Sequence, residues 1–101
     1  MDLGLKGRKA IITGGSKGIG RAIANLLADE GCNVGICARN SKEVDATVAA
    51  LKAKGVEAWG SAIDVRDGDA VRKWVADSAE ALGGLDILIP NVSALAIERN
   101  E

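Results

Sequence analysis

The stretch Thr13-Gly14-Gly15-Ser16-Lys17-Gly18-Ile19-Gly20 follows a short apolar run, Ala10-Ile11-Ile12, and opens a segment whose apolar residues recur at helical spacing. A chain that passes from a buried strand through a glycine-rich turn into a helix has few architectures open to it. Glycine lets the backbone turn sharply and puts no Cβ in the way of a ligand. The unpaired N–H groups of the first helical turn point outward from the same place. An anion, above all a pyrophosphate, is what such a turn holds best. Gly14, Gly18 and Gly20 are separated by three intervening residues and then by one, which differs from the G-x-G-x-x-G spacing of the commonest dinucleotide turn.

The rest of the chain repeats the strand-to-helix step. Arg8 to Thr13 reads as the first strand, and Ile19, Ile23, Leu26 and Leu27 mark the buried side of the first helix, which leaves at Glu30-Gly31. Asn33 to Ala38 is a second strand with Gly35 as its weak point. Asn40 or Ser41 caps a second helix, whose stripe is Val44, Val48 and Leu51 and whose stop is Gly55. Val56 to Ile63 is a third strand, less apolar than the others and so suited to a sheet edge. Asp67 caps a third helix that buries Val71, Trp74, Val75 and Leu82 and ends at Gly83-Gly84. Asp86-Ile87-Leu88-Ile89 is a fourth strand, expected to be buried on both faces, and Pro90 ends its ladder. The pattern predicts one α/β domain over residues 1–101, a Rossmann-like parallel sheet of four strands with helices on both faces.

Charge and cysteine content exclude several classes of function. The net charge is −1, and no basic stripe interleaved with aromatic residues is present, so nucleic acid is not an expected partner. Cys32 and Cys37 occur in a chain without histidine, which leaves neither a zinc site nor a redox C-x-x-C and predicts two reduced, packed thiols. No metal is expected. No apolar run reaches signal-peptide or membrane-span length, so the reading is a cytoplasmic protein with no membrane partner.

Four separated segments between Lys6 and about Ile97 together resemble the short-chain dehydrogenase/reductase family. The first is the glycine stretch, which resembles that family's T-G-x-x-x-G-x-G signature; Gly14, Ser16, Lys17, Gly18, Ile19 and Gly20 are its implied cofactor contacts. The second is the end of the second strand, where the family places the residue that chooses between the two nicotinamide dinucleotides. Here Ala38 stands in that position, followed by Arg39 and Asn40. An aspartate there would repel a 2′-phosphate, whereas Arg39 can meet one, with Lys17 as a second cation, so NADP(H) is favoured over NAD(H). The third is Asp64-Val65, matching the family's adenine contact, with a simple turn start as the alternative for Asp64. The fourth is Pro90-Asn91-Val92-Ser93-Ala94, where Asn91 and Val92 match nucleotide contacts; Pro90 and Ser93 depart from the family's asparagine and glycine.

What the resemblance implies is the cofactor-binding portion of an oxidoreductase that transfers hydride between a nicotinamide and a carbonyl or alcohol. The sequence contains no tyrosine, so the family's Tyr-x-x-x-Lys element is missing and no catalytic residue is assigned. The chain therefore reads as the N-terminal part of a longer enzyme. The alternatives are a stand-alone nucleotide-binding module and a degenerate scaffold. Ile87 to Ile89 would then flank an open edge, which predicts a homo-oligomer or a fold-back of the Leu95 to Ile97 tail.

Overall fold

Apolar runs separated by amphipathic, glycine-ended segments fold as β1 (Lys9–Thr13), α1 (Gly18–Asp29), β2 (Asn33–Ala38), α2 (Ser41–Lys52), β3 (Ala58–Ala62), α3 (Gly68–Leu82) and β4 (Ile87–Pro90). The computed structural model describes residues 4–14 and 18–90. The strands are all parallel and form one Rossmann-like sheet in the order β3-β2-β1-β4. Ile12 lies between Ile36 and Ile89, and Ile11 between Gly35 and Leu88. The central strands β1 and β2 are buried from their second residue to their last because both of their faces are covered.

On one face, Ala24 and Ala28 of α1 and Val44 and Leu51 of α2 pack with Ile12, Val34 and Ile36. On the other, Trp74 of α3 packs with Ile11 and Cys37. Cys32 belongs to the first layer and Cys37 to the second; both are free thiols, fully buried, and burial pushes both pKa values up. The Cys32 thiol lies 3.4 Å from the Leu5 carbonyl oxygen as a weak donor.

The helix starts follow from local chemistry. Asn40 Oδ1 accepts the Glu43 N–H at 3.1 Å and Asp67 Oδ1 accepts the Ala70 N–H at 3.2 Å, each satisfying one orphan donor of the first turn. Gly83 ends α3 in the left-handed conformation at φ 78°, which a side chain would resist.

Several expectations are corrected. The sheet-facing ridge of α1 is Gly20, Ala24 and Ala28, with Ile23 and Leu27 half-buried beside it, while Ile19 and Leu26 are 73% and 61% exposed. Small residues four apart let a helix axis approach the sheet closely, and the bulky pair is then carried to the outside. Gly35 is no weak point. The Trp59 indole lies over it, so that a Cβ there would stand 2.2 Å from Cε2, and Trp59 Nε1 donates to Ser78 Oγ at 3.2 Å. Thr47 and Ser78 are buried beside the expected apolar stripes, Thr47 donating its hydroxyl to the Glu43 carbonyl at 2.8 Å. Pro90 is the last residue of β4, in register with Thr13, rather than the residue beyond its end. The β4 run is not buried on both faces: Ile87 and Ile89 are half-buried and Leu88 is 52% exposed, because no strand lies beyond it among the described residues. The Leu95 to Ile97 tail lies outside the described residues.

Candidate functional site

Because the strands are parallel, their C-terminal ends share one edge of the sheet, where α/β folds bind ligands. Thr13-Gly14 leaves β1 there, Arg39-Asn40 leaves β2, Asp64-Val65 follows β3, and Pro90 closes β4. Chain connectivity reverses between β1 and β4, which makes the ground above Thr13 the topological switch point.

Gly14 sits at φ 72° and donates its N–H to the Cys37 carbonyl at 2.6 Å, so the first turn residue is tied to β2. Gly18, at φ 57°, opens α1; the position a Cβ would take has nothing within 4 Å of it. The first turn of α1 carries no acidic residue, which leaves its positive dipole end without a carboxylate of its own. Gly20 is buried against the sheet and Ile19 projects outward at the turn. Ser16, Lys17, Asn91 and Val92 lie outside the described residues.

Arg39 is exposed, and among the described residues its guanidinium enters no hydrogen bond or ion pair. Asn40 is engaged as the cap of α2. Asp64 is held by Arg66: the Arg66 backbone N–H and Nε both donate to Oδ1 at 3.0 Å, and Nη2 donates to Oδ2 at 2.8 Å. Arg66, with a smaller contribution from Arg39, holds the Asp64 carboxyl far below the usual carboxylate range. Asp64 thus starts a turn, as the simpler reading of it requires, while keeping an ionised carboxylate at the strand edge. Sequence reasoning missed Arg66 altogether, although its signal was local: an arginine two residues after an aspartate at a strand end.

Val65 is half-buried against the α3-side layer. It lines a 520 Å³ apolar cavity beside the site, together with Thr13, Val71, Val75, Leu88 and Pro90. A larger cavity of 660 Å³ lies elsewhere, along the start of β3 beneath Trp59, and contains none of the residues expected at the site. Gly14, the start of α1 at Gly18 and the Arg39 guanidinium, unpaired among the described residues, thus stand at the same C-terminal edge of the sheet.

The short chain dehydrogenase family model matches residues 8–101. Isoepoxydon dehydrogenase of Penicillium expansum is 39% identical, over 97% of this chain and 39% of its own length. The crystal structure of L-sorbose reductase from Gluconobacter frateurii, complexed with NADPH and L-sorbose, superposes with a TM-score of 0.86 at 38% identity, covering 93% of this chain and 36% of that one. NAD⁺-bound xylitol dehydrogenase gives a TM-score of 0.78 at 31% identity, covering 83% and 32%. The chain thus spans between 32 and 39% of the length of these proteins.

Proposed function

The chain belongs to the short-chain dehydrogenase family, and on that premise we propose that it is the NADP(H)-binding portion of an oxidoreductase that moves hydride between a nicotinamide and a carbonyl or alcohol. The nicotinamide supplies the hydride chemistry when bound. The residues present in this chain bind and orient. Gly14 turns the chain and Gly18 leaves room for the pyrophosphate against the N-terminus of α1; in this reading Asp64 and Val65 take the adenine and Arg39 the adenosine ribose. Ser16, Lys17, Asn91 and Val92 complete the proposed contact set.

The observation that carries the preference for NADP(H) is the guanidinium of Arg39, unpaired among the described residues, at the end of a strand whose preceding residue is Ala38. A charge-assisted, two-pronged contact to a 2′-phosphate favours NADPH over NADH by about ten- to hundredfold. Dissociation constants for the two cofactors measured by calorimetry at low salt test this. Arg39→Asp is expected to reverse the order. Equal affinities in both proteins reject the assignment.

A second reading, a nucleotide-binding module without chemistry of its own, draws on the absence of tyrosine from the 101 residues. Saturable NADPH binding by the purified chain, with no NADPH oxidation in the presence of carbonyl substrates, is the result that reading expects.

A further inference from the structure

We propose that Arg66 is a positioning residue for cofactor choice: by occupying the Asp64 carboxylate it keeps the Arg39 guanidinium available for the 2′-phosphate. This inference rests on the reading of Arg39 given above.

The geometry creates a competition. Ala38 is in register with Ala62, and the Ile63 N–H donates to the Ala38 carbonyl at 2.8 Å, so β2 and β3 leave the sheet side by side. A charged residue follows each: Arg39 directly after β2, and Asp64 two residues after the end of β3. An aspartate and an arginine emerging from adjacent strand ends are placed to form an ion pair, and such a pair would have to open before Arg39 could reach a phosphate. Among the described residues that pair is not formed.

Arg66 accounts for this. A carboxylate offers about four acceptor positions, and Arg66 supplies a donor to three of them through its backbone N–H, Nε and Nη2. Oδ1 takes two of these donors and Oδ2 one, which leaves a single acceptor position, on Oδ2, for a neutral donor such as an adenine amino group. The clamp is itself anchored, because the Asp67 N–H donates to the Asp64 carbonyl at 2.9 Å and Asp67 caps α3. The charged groups facing Asp64 are Arg66 from the turn and Arg39 from β2. Two guanidiniums thus stand near one carboxylate, and the planar fork of Arg66 holds it by geometry as well as charge. Among the described residues of this corner one positive charge is left without a partner, and Arg39 carries it.

The test compares the ratio of NADH to NADPH dissociation constants across variants of the full chain. Adenine is common to both cofactors, so any effect on the adenine contact cancels in the ratio. Wild type is expected to favour NADPH, and Arg39→Ala to bring the ratio close to one. Arg66→Ala frees Asp64 to pair with Arg39, so the ratio is expected to fall by about tenfold, the scale of one charge-assisted contact. Adding Asp64→Asn to Arg66→Ala removes the competitor and is expected to restore the ratio, while weakening both cofactors alike. Arg66→Gln is measured in parallel, so that a folding failure of the alanine variant does not decide the outcome. The inference is overturned if Arg66→Ala and Arg66→Gln keep the wild-type ratio. It is overturned equally if the double variant fails to recover it, which would make Arg66 a direct phosphate ligand or a support for the turn. If wild type and Arg39→Ala show no preference, the cofactor reading falls and takes this inference with it.

Discussion

The two edges of the sheet invert what their compositions suggest. The β3 edge is built from Ala58-Trp59-Gly60-Ser61-Ala62, the least apolar of the strands, yet a helix meets it on each face: Ala58 is buried and Trp59 and Ser61 half-buried, while Gly60 and Ala62 stay exposed. On the α2 side, Val44 and Val48 crowd Gly60 so tightly that a Cβ there would come within 2.7 Å of Val44. On the α3 side, Trp59 spans to Gly35 and is fixed by Ser78. The β4 edge is Ile87-Leu88-Ile89-Pro90, strongly apolar, and Leu88 stands open beside a 520 Å³ groove lined by Val71, Val75 and Ala79 of α3. Connectivity explains the difference. β3 lies between the helix that brings the chain in and the helix that takes it out, and each meets it on one face, α2 at Gly60 and α3 at Trp59. β4 is reached by α3, and nothing among the described residues follows it. Coverage is a property of where the crossovers run, and apolar content tells only what could be covered.

The sharpest way to break the contrast is to spoil the contact that ties the β3 edge to β2 and α3. Gly35→Val sets a branched side chain where the Trp59 indole lies and is expected to destabilise the fold by about 3 kcal/mol, at the upper end for an overpacked core, as read by urea unfolding. A stability within error of wild type would mean that the indole moves aside freely and that Trp59 does not hold β3 in place.

At the open edge the expected effect on folding is much smaller. Leu88→Lys replaces a side chain already 52% exposed, so its cost in unfolding free energy should stay within about 0.5 kcal/mol. Self-association, by contrast, should weaken, because a charge on an edge discourages pairing with another chain. Sedimentation velocity of wild type and variant over a range of concentrations compares them, and an unchanged association constant would place any contact between copies elsewhere.

The smallest effect concerns the root of β4. Asp86 Oδ2 accepts the Lys9 N–H at 2.9 Å and its Oδ1 pairs with Arg8 at 3.3 Å, tying the start of the open edge to β1. The Lys9 N–H, and after it Arg8, hold the Asp86 carboxyl below the usual carboxylate range. A carboxyl depressed in the folded state stabilises it above the ordinary carboxylate pKa, and this contribution disappears as pH falls through the depressed value. Wild type should therefore lose more stability than Asp86→Asn between neutral pH and pH about 3. The difference is a modest one, since the pair is solvent-screened. Parallel acid profiles for the two proteins would show that the tie contributes nothing.

How far the sequence reveals this molecule depends on the range of the interaction involved. Asn40 and Asp67 were legible as caps because each bonds a backbone N–H three residues on. The boundaries of β2 were legible because its apolar run is buried on both sides. The edge position of β3 was legible from its weak hydrophobicity. By contrast, Ile19 and Leu26 share helical spacing with Gly20, Ala24 and Ala28, and only the closeness of α1 to the sheet decides which set turns inward. Leu88 reads as core by composition, and its exposure depends on what lies beyond β4. At the candidate site, the meeting of Gly14, Arg39, Asp64 and Val65 at one edge followed from parallel strands. The engagement of Asp64 did not, because a long arginine side chain can fold back on its own turn or extend into solvent, and the turn geometry decides between them.

The two buried thiols give the molecule an internal clock. Cys32 is sealed in the layer under α1 and α2, Cys37 in the layer under α3, and neither can react as a thiolate until its own layer opens. The rate at which a thiol reagent modifies each one therefore times the opening of one layer independently of the other. Two rates that coincide describe a sheet whose layers come apart together; two that differ show which set of helices lets go first.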